Sequence, residues 1–254
     1  MKTFFYWLVV ILLLFLSLSY FVGYNSGLCK INKKYTCEKK FCLYKQFSFY
    51  FPANISKDLQ KLIQNKRIQK RVNVQTFPET ILNCALPNKK GVAITCQSIL
   101  DITPQVISFY QNELCQYISK LINVQLYPTE LKIPTCCCII IYEKEGDWIN
   151  WHYDYNYYKG RFFTVLIPIS NNMTCTEFQL MDDKNNIKSI HLLDHNSICF
   201  EGNYLYHRAT KLCDNQKRIL LSCQFVTDNT ISDWDRFRSK LRDFAFTGKI
   251  SIRN

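Results

Sequence analysis

"TCCCIIIYEKEGDWINWHYDYNYY", Thr135–Tyr158, decides the fold. Two short apolar runs flank the turn-forming "EKEG", and the second run leads into an aromatic segment carrying His152 and Asp154. Residues at i and i+2 of a strand project from one face. His152 and Asp154 are therefore predicted to point together, with Tyr153 pointing away. The same texture continues downstream: "RFFTVLIPIS", "TEFQLMD", "IKSIHLL", "SICFEG", "YLYHRAT" and "RILLSCQFVT" are separated by "NNMT", "DDKNN", "DHN" and "CDNQK". About eight strands in quick succession, broken by turn residues, predict a sandwich, barrel or jelly roll. The class is mainly β with flanking helices.

Upstream the pattern is helical. "SKDLQKLIQNKRIQKR" predicts a basic amphipathic helix capped by Ser56. A second helix is predicted from Thr103 as cap and Pro104 at the first helical position. Val106, Ile107, Tyr110, Leu114, Ile118 and Leu121 then recur at helical spacing, which suits packing on a sheet. A third helix follows Thr227, with Ser232 and Asp235 in capping-box register and a stripe of Trp234, Phe237, Leu241 and Phe244. Residues 51–254 are read as one domain: helical support over 51–134, a β core over 135–228 and a C-terminal helix over 229–254. Residues 25–50, with Cys29, Cys37, Cys42 and a lysine cluster, are read as a stalk.

Phe4–Val22 is an uncharged, almost wholly apolar run after Lys2, long enough to span a bilayer. A signal anchor or a cleaved signal peptide fits residues 1–24, and the run's continuation to Val22 favours the anchor. Hydrophobic content of 48% excludes disorder over most of the length. The net charge of +12 invites a nucleic-acid partner, but Lys, Asn, Ile, Tyr and Phe are all plentiful, so compositional bias explains part of it. The thirteen cysteines form no CxxC pair, which argues against structural zinc sites. Their number is odd, so at least one is free or pairs with another chain.

Four histidines are available: His152, His191, His195 and His207. Two His and one carboxylate on one face of a metal, with the remaining positions open, is the arrangement of oxygen-activating non-haem Fe(II). His152 and Asp154 supply two ligands from one strand face, and His207, on a late strand, is the candidate third. His195 sits in the turn sequence "LLDHNS" and His191 at a solvent-facing strand position, so neither is expected to bind metal. Arg218 opens an apolar strand eleven residues after His207. A buried guanidinium has to be paired, either with an acid such as Glu177 or Glu201 or with a bidentate carboxylate ligand.

These residues, in this order and strand context, resemble the 2-oxoglutarate- and Fe(II)-dependent oxygenases, particularly their prolyl 4-hydroxylase-like branch. The resemblance covers about Cys136–Thr227 and implies a double-stranded β-helix, or jelly-roll, core. It implies His152, Asp154 and His207 as metal ligands and catalytic centre, with Arg218 and Tyr142 contacting 2-oxoglutarate. Its cofactors would be Fe(II) and 2-oxoglutarate with ascorbate as reductant, and O2 would be consumed with release of succinate and CO2. Asp154 stands where related halogenases carry a small residue, which favours hydroxylation.

The departures narrow the substrate. Many prolyl 4-hydroxylases have Lys where Arg218 stands, and "CTEFQL" replaces a common glycine-rich segment, which argues against a collagen-prolyl substrate. Nucleic-acid demethylases of similar type carry a second Arg where this chain has Gln224. Hydroxylation of a prolyl or lysyl side chain of a polypeptide is the expectation; a small molecule or lipid substrate, and a non-catalytic binding module, are the alternatives. Lysines after the apolar segment place the domain in the cytosol by the positive-inside rule. The cysteines, the sequons at Asn54 and Asn172 and the family resemblance place it in the endoplasmic reticulum lumen, which is the expectation here.

Overall fold

Strand Cys137–Tyr142 shows how the domain is layered. Its even-numbered side chains, Cys138, Ile140 and Tyr142, line a cavity. Its odd-numbered ones, Cys137, Ile139 and Ile141, are buried in a core shared with the helices. The period of two is used on both faces because both are covered.

The computed structural model describes residues 6–14, 44–74, 88–172, 175–182 and 184–239. Its elements run β1 (Tyr44–Ser48), α1 (Ala53–Gln64), β2 (Lys70–Val74), β3 (Lys89–Ile94), α2 (Cys96–Ile102), α3 (Pro104–Phe109), a π-helical turn (Tyr110–Leu114), α4 (Cys115–Ile122) and β4 (Tyr127–Pro128). There follow β5 (Cys137–Tyr142), β6 (Trp148–His152), β7 (Phe162–Asn172), β8 (Phe178–Met181), β9 (Ile187–Ile190), β10 (Asn196–Phe200), β11 (Tyr206–Ala209) and β12 (Lys217–Val226). A last helix is described over 233–239.

The strands form one antiparallel sheet in the order β1-β10-β7-β12-β5-β3-β6-β11-β8-β9, with β2 beside β3 and β4 beside β12. The sheet curls so that its halves face each other. Leu166, Leu220, Ile198 and Phe200 from one half pack with Phe178, Leu180 and Ile190 from the other. This is the jelly-roll core expected from the strand pattern. β7 and β12 pair along almost their whole length, with a register irregularity opposite Pro168, which has no N–H to give the ladder.

The helices cover the outer face of β5, β7 and β12. Ile55, Leu59, Leu62 and Ile63 of α1 and Val106, Ile107, Tyr110, Leu114 and Ile118 of the next helical stretch join that core. Asn123, in the left-handed region at φ 55°, ends α4.

Several sequence boundaries move. Ser56 lies inside α1, its N–H bonded to Pro52 O at 2.9 Å, so it is no cap. The predicted basic helix stops at Gln64: Asn65 turns extended and its side chain accepts from Arg67 N. "KRVNV" then forms β2, because Val72 and Val74 alternate with polar residues and suit a strand. Thr103 precedes α3 as expected, but its hydroxyl donates back to Ile99 O at 3.3 Å instead of capping forward. The region 51–134 is thus not only helical support, since β3 is the strand that joins β5 to β6. Nor does the predicted stalk reach residue 50: Tyr44–Ser48 pairs with β10 as an edge strand.

In the last helix Ser232 Oγ bonds Asp235 at 2.7 Å and accepts from Asp235 N at 3.1 Å, as its capping register predicts. Trp234 and Phe237 are exposed on its surface, while Leu241 and Phe244 lie outside the described residues. Asn54 is exposed in the first turn of α1, and Asn172 ends β7 rather than lying in a loop. Cys29, Cys37, Cys42 and Cys84 also lie outside the described residues. Among those described, no helix is long and apolar enough to cross a membrane. Residues 6–14 of the expected anchor are helical, and the remainder of that segment is outside the described residues.

Cys175 and Cys213 form a disulfide spanning 38 residues, and Cys96, Cys115, Cys136, Cys137, Cys138, Cys199 and Cys223 are free and buried. Closing a loop of that length restricts the unfolded chain by about 3–4 kcal/mol. Cys175→Ser with Cys213→Ser should therefore lower the unfolding free energy by that amount and shift the urea midpoint down accordingly. An unchanged midpoint with an unchanged slope would show that the crosslink contributes nothing.

Candidate metal centre and cosubstrate pocket

β6 and β11 run antiparallel, and His152 stands directly opposite His207. Their ring centroids are 4.1 Å apart. Asp154 lies just past the end of β6, where its N–H donates to Gly202 O at 2.9 Å and keeps the chain extended. The i, i+2 relation then brings its carboxylate to the imidazoles. Asp154 Oδ1 is 3.8 Å from His152 Nε2 and 3.7 Å from His207 Nε2. One donor atom from each of the three residues fits within 4.8 Å, and among the described residues no other group of His, Cys, Asp or Glu does so.

The tautomers suit a cation. His152 Nδ1 is 2.7 Å from Asn150 O, and His207 Nδ1 is 2.8 Å from Leu205 O. A carbonyl only accepts, so each Nδ1 carries the proton and each Nε2 keeps its lone pair for a metal. Both carbonyls sit at irregularities of the ladder. Register shifts between His207 and Ala209, so β6 bulges at Asn150, and Leu205 precedes the first residue of β11. Phe200 meets the His207 ring edge-on at 4.8 Å, which restricts its rotation. Gly202 lies against Asp154 so closely that a β-carbon there would collide with the carboxylate.

The triad shares a cavity of about 160 Å³ with Arg218 and Tyr142. Those two residues are cross-strand partners on β12 and β5. The guanidinium lies 5.7 Å from the Tyr142 ring centre, and the ring occupies space above Gly91 that a β-carbon would fill. Arg218 is 1% exposed, yet its Nε and Nη1 have no hydrogen-bond partner. The acids that could have neutralised it are engaged elsewhere. Glu201 pairs with Arg161 at 2.9 Å, and Glu177 accepts from Gln179 and Ser189. Burial pushes Arg218 down to about 10, with Tyr142 opposing the shift. Burial pushes Tyr142 up to about 12, with Arg218 opposing. At neutral pH both keep their protons, so a cation and a hydroxyl donor share one end of the cavity.

Two imidazole Nε2 atoms and one carboxylate oxygen facing a common point are the donor set of Fe(II) oxygen chemistry. A buried guanidinium with two unpaired donors fits a carboxylate. The residues present therefore fit both Fe(II) and 2-oxoglutarate.

His191 and His195 stay outside. The His191 side chain is 53% exposed beside Glu177, and His195, at φ 67°, stacks on Tyr50 at 4.0 Å. Thr164, the carbonyls of Asn150 and Leu205, and glycines 91 and 202 were not singled out in the sequence. Of these only Thr164 left a legible signal, a hydroxyl inside the apolar run "RFFTVLIPIS".

No family model and no curated protein sequence matches the chain. Solved structures do. A 2OG-Fe(II) oxygenase family oxidoreductase from Burkholderia pseudomallei superposes with a TM-score of 0.56 at 11% identity, over 74% of this chain and 87% of that one. AviO1 from Streptomyces viridochromogenes gives 0.52 at 12% identity, over 76% and 93%. SnoN, a non-haem α-ketoglutarate-dependent epimerase from nogalamycin biosynthesis, gives 0.51 at 8% identity, over 72% and 77%. The chain has the fold of the 2-oxoglutarate/Fe(II) oxygenases. Within that fold, the strand-end triad and the buried Arg218 are this chain's own residues.

His152→Ala, Asp154→Ala and His207→Ala should each abolish Co(II) binding measured by calorimetry, whereas His195→Ala should leave it unchanged. Equal loss in His195→Ala would overturn the assignment. Arg218→Met should raise the stability of the ligand-free protein by about 1–3 kcal/mol, because it removes buried donors, Nε and Nη1, that have no hydrogen-bond partner. The same variant should lose the stabilisation that added 2-oxoglutarate gives the unaltered protein.

Proposed function

We propose that the protein is a 2-oxoglutarate- and Fe(II)-dependent dioxygenase that hydroxylates a polypeptide side chain, prolyl or lysyl. The observation that carries this reading is the orphaned guanidinium of Arg218 in the same cavity as the His152–Asp154–His207 face. When bound, Fe(II) and 2-oxoglutarate supply O2 activation and oxygen insertion into a C–H bond, releasing succinate and CO2.

The chain's part is placement. The two Nε2 atoms and Asp154 Oδ1 would hold the ion from one side, while Arg218 and Tyr142 would hold the far carboxylate of the keto acid. Ile140, Ile149, Leu166 and Leu220 keep the space between them apolar. Tyr155, Tyr157 and Tyr158 form another wall of the cavity, and aromatic faces of this kind suit the aliphatic C–H groups of a prolyl or lysyl side chain.

A small-molecule substrate is the second reading, favoured by the likeness in fold to an epimerase from nogalamycin biosynthesis. The disulfide Cys175–Cys213 supports an oxidising, lumenal compartment for the domain. Membrane attachment through the first 24 residues rests on the sequence and ascorbate as reductant on the family resemblance, and both are parts of the proposal.

Purified protein with Fe(II), 2-oxoglutarate and O2 should form succinate faster when proline- or lysine-containing peptides are added. Stimulation by metabolites alone would favour the second reading. 2-Oxoglutarate binding with no turnover for any substrate would make the protein a binding module. For topology, a glycosidase-sensitive mobility shift that disappears in Asn54→Gln, Asn172→Gln would be expected of a lumenal domain.

A further inference from the structure

We propose that Thr164 is a positioning residue that confines Asp154 to a single metal-binding oxygen. The inference rests on the iron-centre reading given above.

β7 alternates strictly at this point. Phe162, Thr164 and Leu166 face the cavity, while Phe163, Val165 and Ile167 enter the helix-side core. Thr164 is thus the one hydroxyl in an inward row of apolar side chains, and it is 5% exposed. Its Oγ1 lies 2.5 Å from Asp154 Oδ2. An ionised carboxylate can only accept, so the hydroxyl donates, and the bond is of the short, charge-assisted kind.

The two carboxylate oxygens therefore have different surroundings. Oδ1 faces His152 Nε2 and His207 Nε2 at 3.8 and 3.7 Å. Oδ2 faces Thr164 and lies against Gly202, where no β-carbon intervenes. The backbone bond from Asp154 N to Gly202 O, 2.9 Å, fixes the main chain behind the carboxylate. Rotation that brought both oxygens toward the imidazoles would break the Thr164 bond.

That restriction matters for coordination number. With two imidazoles, one carboxylate oxygen and a keto acid, a bound ion of six ligands would have room for one more. A carboxylate that bound through both oxygens would take it, or would displace one arm of the chelate. Thr164 is assigned the task of preventing this through its bond to Asp154 Oδ2.

The test uses the full chain loaded with Co(II), whose visible absorption reports coordination number. Thr164→Val keeps the shape and removes the hydroxyl; Thr164→Ser keeps the hydroxyl. Co(II) affinity of the Val variant is expected to equal or exceed that of the unaltered protein. Its affinity for 2-oxoglutarate in the Co(II)-loaded state is expected to fall by about ten- to a hundredfold, the scale on which outer partners tune metal sites. The Ser variant should restore both the affinity and the absorption spectrum. A Val variant that binds 2-oxoglutarate like the unaltered protein overturns the proposal. So does one whose Co(II) affinity and thermal midpoint fall together, since that marks a merely structural role. Failure of the unaltered protein to bind Co(II) would instead remove the iron-centre reading beneath it.

Discussion

A one-residue slip between β6 and β11 would disperse the His152–Asp154–His207 cluster. Side chains alternate at every strand position, so the slip would turn His207 outward and leave His152 facing a neighbour of opposite orientation. Register here is held by the apolar residues around the ligands rather than by the ligands themselves. Phe178 and Leu180 of β8, and Leu205 and Ala209 near the ends of β11, must all be inside together, and they are buried. The bulge in β6 is part of the same solution. It gives up one regular ladder step and leaves Asn150 O as the acceptor that sets the His152 tautomer.

The strand half of the chain was legible because its rule is local. Alternation, turn residues and the HxD spacing each depend on neighbours a few positions away, so β5 to β12 could be read from Thr135 onward. Arg218 was legible for a different reason: a guanidinium in an apolar strand demands a partner wherever the strand lies. What stayed hidden depends on distant pairing. β1 and β3 are recruited by β10, β5 and β6, and nothing within "YKQFS" or "KKGVAI" announces those partners. "KRVNV" suits either structure by composition, and its pairing with β3 decides the outcome. Gly202 and the Leu205 carbonyl act through backbone placement, which residue type alone does not encode.

Energetically the cavity is two environments. Near the triad, polar groups are satisfied by carbonyls, by Thr164 and by one another. At the Arg218 end the protein keeps a desolvated cation beside the Tyr142 ring. Burial of an uncompensated charge weakens a fold, and the large apolar core shared by the helices with β5, β7 and β12 offsets it. On the proposed function, that instability would be relieved when an anionic ligand pairs with the guanidinium.

The Cys175–Cys213 bond has a further consequence for the connectivity of the molecule. It closes a covalent ring that contains β8, β9, β10 and β11, with His207 inside it, His152 and Asp154 on the chain entering it, and Arg218 on the chain leaving it. A protease that cuts at the exposed residues 184–186, between β8 and β9, would therefore open the ring without dividing the protein. Under oxidising conditions such a nicked chain remains a single molecule with all its ligands attached, and only a reductant releases the pieces.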